Sequence, residues 1–370
     1  SKNLNGLFIN LPREKDGYHQ PKLDQIFGML LDEIRPDIAH VGHLNHLSTG
    51  IIDELHARQI PIVFTLHDFW LMCPRGQFLQ RNFGQIEFHQ LCHGQENQKC
   101  ARQCYNAYFS GQENDNTRDM AYWTDWIASR MNKTRRIVEK VDVFIAPSRY
   151  LQNRFINSFH VPSDKIIYLD YGFPSYLKPL QKAPHDLFTF GYIGTHIPAK
   201  GVNLLIESFS KLHGRAMLKI WGHNKGQNNY SLKRLAETCK SANKQIQWMG
   251  EYANKEIAQN VFAHVDAIVV PSIWAENSPL VIHEAQACHV PVITADNGGM
   301  CEYVQHNVNG LLFEHRNVHD LTSKMQYALT HPHEMVQLGK RGYLYDEYGE
   351  VLSVQKHCQE LQQVYKRLIL

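Results

Sequence analysis

The sequence predicts an α/β protein built from two Rossmann-like domains whose parallel sheets face each other across a cleft. Three observations carry that prediction. Short β-branched runs alternate with helical patterns along almost the whole chain, as expected of parallel strands covered by helices on both faces. The segment YGFPSYLKPLQKAPHDL interrupts the rhythm with three prolines and no periodicity, which marks a linker. At 370 residues, 43% hydrophobic and 20% charged, the chain is long enough for two ordinary cores. The expected division is a first domain over 1–172, a linker over 173–187, a second domain over 188–348 and a helix over 349–370. That last segment is amphipathic and lies beyond the second sheet's pattern, which suits a return to the first domain.

In the first domain PDIAHV, PIVFTL, VDVFIAPS and KIIYLD read as strands. Between the second and third of these lies an unusual stretch. It holds Cys73, Cys92, Cys100 and Cys104, with an insertion expected over 73–104. In a reducing compartment clustered cysteines point to zinc, with His93 able to replace one thiolate. The spacing lacks tight C-x2-C knuckles, so two disulfides or free thiols stay open beside a structural zinc. The cysteines are followed by the helical stretch MAYWTDWIASRMNKTRRIVEKV. Trp123, Ile127, Met131 and Val138 fall on one side, with Arg130, Lys133, Arg135 and Arg136 elsewhere. Packing of the apolar stripe on the first domain, with the basic residues in water, is favoured over resting on an anionic membrane surface.

In the second domain LFTFGYIG, AMLKIWG, IQWMG, VDAIVVPS and VPVITAD read as strands. The fourth runs into a turn with Glu276, Asn277 and Ser278. Ser278 is the expected N-cap and Pro279 the first helical residue, with Glu284 in the second turn. Free N–H groups and the positive end of the helix dipole form an anion site there. Glu276 and Glu284 can lie along a ligand whose phosphates sit on the helix terminus, accepting hydrogen bonds from sugar hydroxyls. The next strand ends in Asp296, Asn297, Gly298 and Gly299, so two successive strand ends line a crevice at the carboxyl edge of the sheet. Gly194, Thr195 and His196 end the first strand of this domain, and Lys200-Gly201 opens a helix, adding a cation facing the same crevice. Lys225, after another Gly-rich strand end, is a candidate second cation. From the opposite domain His67, with Asp68 and Arg75 at the same edge, is placed to meet a transferred group.

The net charge of +2 and the absence of a basic run interleaved with aromatics exclude a nucleic-acid groove. No G-x-S-x-G elbow and no early G-x-G-x-x-G is present, which argues against a serine hydrolase and an NAD site. No run of about 18 apolar residues and no signal-peptide layout occurs. A cytoplasmic protein, peripheral at most to the inner face of a membrane, is the expectation. Its oligomeric state is unread.

PSIWAENSPLVIHEAQACHVPVITADNGGMCEYVQHNVNGLLF, with PDIAHV, TLHDFWLMCPRG, VDVFIAPS and GTHIPAKG, resembles the retaining glycosyltransferases of family 4, which have the GT-B fold. The resemblance covers nearly the whole chain. It implies transfer of a hexosyl or related sugar from a UDP- or GDP-sugar to a glycan, lipid-linked or small-molecule acceptor, without a required metal. By that similarity Glu276 contacts the donor sugar and Glu284 the ribose, with Asn277 also in the donor site. The amides of Ser278, Leu280 and Val281, with Gly194, Thr195 and Lys200, hold the diphosphate. Gly250 and Tyr252 lie against the base, and His67 meets the sugar. Two departures stand out. Thr195 replaces the arginine usual in the family, and the chain begins without the family's opening strand and Gly-rich loop, as a fragment or an abbreviated domain would. They motivate an alternative, a non-catalytic nucleotide-sugar or glycan-binding protein of the same fold.

Overall fold

The computed structural model describes residues 17–81, 89–106, 117–182, 186–223, 230–239, 241 and 243–370. The first domain is a parallel sheet in the order β1-β2-β5-β6, formed by β1 (Ala39–Val41), β2 (Ile62–Thr65), β5 (Val143–Ala146) and β6 (Ile166–Tyr168). A small antiparallel hairpin, β3 (Leu79–Arg81) with β4 (His89–Leu91), sits in the insertion. The second domain is a six-stranded parallel sheet. Its strands are β7 (Phe188–Ile193), β8 (Ala216–Trp221), β9 (Lys244–Gly250), β10 (Ala267–Val270), β11 (Val292–Ala295) and β12 (Gly310–Phe313), in the order β12-β11-β10-β7-β8-β9. The hairpin and β12 are not among the strands read from sequence, because three- and four-residue runs carry too little alternation to mark a strand.

Strand order reverses between β7 and β10, where connections leave the sheet in opposite directions. Such a switch point opens a crevice at the carboxyl ends of the two strands. β10 and β11 are buried along their full length, which is why AIVV and VITA are continuously apolar or hydroxyl-capped.

The helix Thr117–Lys140 carries its apolar stripe inward: Trp123, Ile127 and Met131 are buried in the first core. That stripe is therefore unavailable to a membrane. Arg130 departs from the expectation of a water-facing base. It is 1% exposed, donates from Nη2 to the Trp70 carbonyl at 2.6 Å and lies 4.3 Å over the Trp70 ring. Arg135 and Arg136 are exposed.

The helix Val354–Ile369 packs against the first sheet through Leu361, Val364, Tyr365 and Leu368, which meet Val63, Ile145 and Leu169. Ser353 caps it, accepting from the Lys356 N–H at 3.2 Å. The chain at Phe173 pairs with Leu352 and Val354, and a Cβ at Gly172 would stand 2.9 Å from the Val354 Cα. Only a residue without a side chain allows that approach.

Candidate active site

The site is assembled at the switch point. After β10 the chain runs through Ser272 to Glu276, which is 6% exposed. Glu276 Oε1 accepts from Lys200 Nζ at 2.6 Å and from Ser272 Oγ at 2.7 Å. Both bonds fall on one oxygen, so Oε2 keeps its acceptor capacity. Lys200 reaches Glu276 because the turn Pro198–Lys200 packs directly under the loop. Ile273 N–H donates to the Ala199 carbonyl at 2.9 Å, and a Cβ at Gly201 would lie 1.9 Å from the Pro271 carbonyl oxygen. Gly201, at φ 68°, also caps the next helix, Val202–Ser210, so Lys200 precedes that helix rather than opening it. On the other flank Gly299 N–H donates to the Glu276 carbonyl at 2.7 Å, and any Cβ at Gly299 would overlap the Asn277 carbonyl. The Gly-Gly pair after β11 thus holds the glutamate loop from below.

The helix that follows spans Leu280–Ala287, with Pro279 in the N-cap position and no side-chain cap. The sequence expectation was one residue early, and Ser278 is not the cap. Its hydroxyl instead donates to Asp170 Oδ1 at 3.3 Å. First-turn N–H groups, Leu280 and Val281 among them, have no carbonyl four residues back to bind. They lie at the mouth of the crevice, where Leu280 is exposed and Val281 half-buried. Glu284 follows one turn later. Burial pushes its carboxyl up to about 7, opposed by His283. Its charge in turn raises Tyr252, whose phenol is pushed up to about 12 chiefly by its own burial. Glu284 and Tyr252 therefore border the same space. Gly250, at φ 74°, has open space where a Cβ would stand. Thr195 is exposed, with its carbonyl accepting from Tyr192 OH at 2.9 Å. Gly194 takes φ 153° beside it. Lys225 lies outside the described residues.

The first domain closes over this face. His67 O accepts from Asn277 Nδ2 at 3.4 Å, and Ser148 Oγ donates to Asn277 Oδ1 at 2.6 Å. The His67 ring stacks on Tyr171 at a 5° interplanar angle, with Nδ1 hydrogen-bonded to the Tyr171 hydroxyl at 2.7 Å. Burial, then the neighbouring His43, lowers its pKa against Asp68, so the ring is neutral at neutral pH. Glu302 of the second domain accepts from the N–H groups of Arg149 and Tyr150, both at 2.9 Å, and so complements the positive end of the helix Arg149–Phe159.

Sequence reading missed the centre of this junction, Asp170. Its Oδ2 accepts from His283 Nε2 at 2.9 Å and Tyr343 OH at 2.7 Å, and its Oδ1 from Tyr171 N at 2.8 Å. Burial opposes its ionisation, but these donors outweigh it and hold the carboxyl below its ordinary value. Its stabilisation is thus present at neutral pH and lost as pH falls through that lowered value. Asp170→Asn should destabilise the protein by about 1–3 kcal/mol, because it leaves buried donors facing an amide. Thermal melts at neutral pH check this, and an unchanged midpoint would show that the junction carries no net stability.

The cysteines sit apart from the crevice. Cys73, Cys92, Cys100 and Cys104 all line one small cavity with Arg75 and Tyr105. His93 is exposed. Among the described residues no three His, Cys, Asp or Glu side chains already stand in ion-holding geometry.

Two family models meet near the middle of the chain. Glycosyltransferase Family 4 matches residues 4–172, and glycosyl transferases group 1 matches residues 178–345. Together the two models cover most of the chain and match a family 4-like glycosyltransferase. Among curated relatives is the GDP-mannose-dependent alpha-(1-6)-phosphatidylinositol monomannoside mannosyltransferase of Mycobacterium tuberculosis. It is 28% identical over 56% of this chain and 58% of its own. An uncharacterised glycosyltransferase of Methanocaldococcus jannaschii is 28% identical over 49% of each chain. The chain thus spans about half the length of the curated relatives it matches. Its GT-B fold is shared with sucrose-phosphate synthase from Thermosynechococcus elongatus (TM-score 0.69, 17% identity, 98% of this chain and 81% of that one). Anabaena HepE, solved in complex with UDP, has the same fold (TM-score 0.66, 16% identity, 94% and 85%). Among the described residues no helix is long and apolar enough to cross a membrane.

Proposed function

We propose that this glycosyltransferase moves a hexosyl or related sugar from a UDP- or GDP-sugar to a glycan, lipid-linked or small-molecule acceptor with retention of configuration. The observation that carries the reading is the convergence of Glu276, Lys200 and the start of the helix Leu280–Ala287 at the switch point, with Glu284 one turn along. We divide the chain into a first domain over 1–172, a linker over 173–187, a second domain over 188–348 and a C-terminal helix over 349–370, a division that the two separate sheets support.

In this reading the diphosphate rests on the amides of Ser278, Leu280 and Val281, with Gly194 and Thr195 beside it. Lys200 exchanges part of its contact with Glu276 for a phosphate oxygen. Glu276 Oε2 holds a sugar hydroxyl with Asn277 in the same donor site, Glu284 holds the ribose, and Gly250 and Tyr252 border the base. His67 meets the sugar from the first domain. Breaking the bond between the anomeric carbon and the phosphate oxygen leaves the electron pair on the phosphate. Fixed donors around that oxygen supply the main stabilisation. The acceptor hydroxyl forms the new bond on the same face and gives its proton to the leaving phosphate. Lys200 and the helix amides supply the positive charge, so the mechanism requires no divalent ion. UDP bound to HepE, of the same fold, and the GDP-mannose dependence of the mycobacterial relative support a nucleotide-sugar donor.

A thermal-shift screen against UDP, GDP, ADP and their sugar conjugates, followed by a turnover assay, tests the proposal. One nucleotide family should raise the melting temperature by mass action, and its sugar conjugate should be consumed when acceptors are supplied. Tight nucleotide binding without transfer or donor hydrolysis would favour the non-catalytic reading that exposed Thr195 motivates.

A further inference from the structure

Sugar transfer leaves four cysteines without a role. Cys73 follows β2, Cys92 follows β4, Cys100 ends the helical turn Asn97–Cys100, and Cys104 lies in the π-helix Ala101–Asn106. Three are buried and Cys92 is half-buried. All four face one cavity of about 10 Å³, room for a single water-sized sphere. Packing explains an isolated buried thiol such as Cys288, which serves as a small apolar side chain. It does not explain four thiols from separate segments around one hollow.

Charge is the second observation. Arg130 is fully buried, and none of its contacts is an ion pair with a carboxylate among the described residues. A buried guanidinium without countercharge is expensive. Arg75 forms part of the cavity wall. One divalent ion bound by four thiolates carries a net charge of −2, which suits a wall that includes Arg75. Disulfides would bring no charge, and the cavity holds one ion rather than an iron–sulfur cluster. A tetrahedral four-sulfur set of this kind selects zinc.

We propose that Cys73, Cys92, Cys100 and Cys104 bind one structural zinc ion that clamps the insertion onto the loop carrying His67. Binding forms four Zn–S bonds of about 2.3 Å and releases the four thiol protons to solvent. The sulfurs close from the cavity wall onto the ion, since they do not yet converge. Cys73 transmits the clamp. Its N–H donates to the Phe69 carbonyl at 2.7 Å, and the Phe69 N–H to the Gly76 carbonyl at 3.1 Å, in the turn directly after His67 and Asp68.

The test is elemental analysis of the full chain purified without chelator, together with cobalt(II) reconstitution of the reduced, metal-stripped protein. Expected are one zinc per chain and the charge-transfer and d–d absorption of a tetrahedral tetrathiolate cobalt site. Cys100→Ser and Cys104→Ser should each lose the zinc, and the exposed Cys358→Ser should keep it. Zinc content unchanged in the Cys100 and Cys104 variants would overturn the proposal. So would absence of zinc with no cobalt–thiolate bands, iron with sulfide, or disulfides in protein kept reducing. If the serine variants fail to fold, the cobalt spectrum of the unsubstituted chain decides alone. None of these readouts depends on sugar transfer.

Discussion

Replacing Glu276 by alanine is expected to lower kcat for sugar transfer by about 100- to 1,000-fold, the scale for removing one fixed electrostatic partner of a transition state. Nucleoside diphosphate affinity should stay level or rise. The asymmetry follows from the ion pair. Lys200 Nζ stands 2.6 Å from Glu276 Oε1, and deleting the carboxylate frees that ammonium for the diphosphate. The same deletion removes the acceptor that would hold the sugar while positive character develops on it. Steady-state kinetics and calorimetric titration with the nucleotide identified by the screen measure the two effects separately. Equal losses in both would place Glu276 at the nucleotide rather than the sugar, and an unchanged kcat would remove it from the reaction.

Glu284→Ala should weaken donor binding by about 10- to 100-fold, as expected when a hydrogen bond to a charged group worth about 1.5–3 kcal/mol is lost. The pH dependence is the sharper signature. Burial pushes the carboxyl up to about 7, so its charge changes near neutral pH, and the carboxylate is the stronger acceptor for the ribose hydroxyls. Affinity for a nucleotide sugar, whose own charge is constant in this window, should rise as pH increases through about 7. In Glu284→Gln the slope should vanish. Stability of the unliganded protein runs the other way. A raised carboxyl contributes stability that is fully present below its ordinary value of 4.5 and is lost as pH rises through about 7. The loss is at most about 3 kcal/mol, and Glu284→Gln should abolish it. Denaturant melts and binding isotherms across pH 5–8 read both. A flat affinity profile in the unsubstituted protein would separate Glu284 from the ribose.

The alternation of strands and helices, the glutamate pair and the strand-end glycines were legible in the chain itself because they are local. A buried parallel strand must be apolar along its length, as in AIVV, and a helix entered through Ser-Pro exposes its first N–H groups within a few residues. The thiol cluster was legible as composition, though not its geometry. Tertiary structure alone decided the rest. Reversal of strand order between β7 and β10 sets where the crevice opens. Asp170 is invisible in sequence because three of its donors, Ser278, His283 and Tyr343, lie more than a hundred positions away. Ser278 reads as a cap until that distant carboxylate takes its hydroxyl. Arg130 reads as a surface base until the insertion folds over it. Periodicity and capping are properties of neighbouring residues. Burial, charge pairing and the meeting of two domains depend on contacts whose partners the chain brings together only when folded.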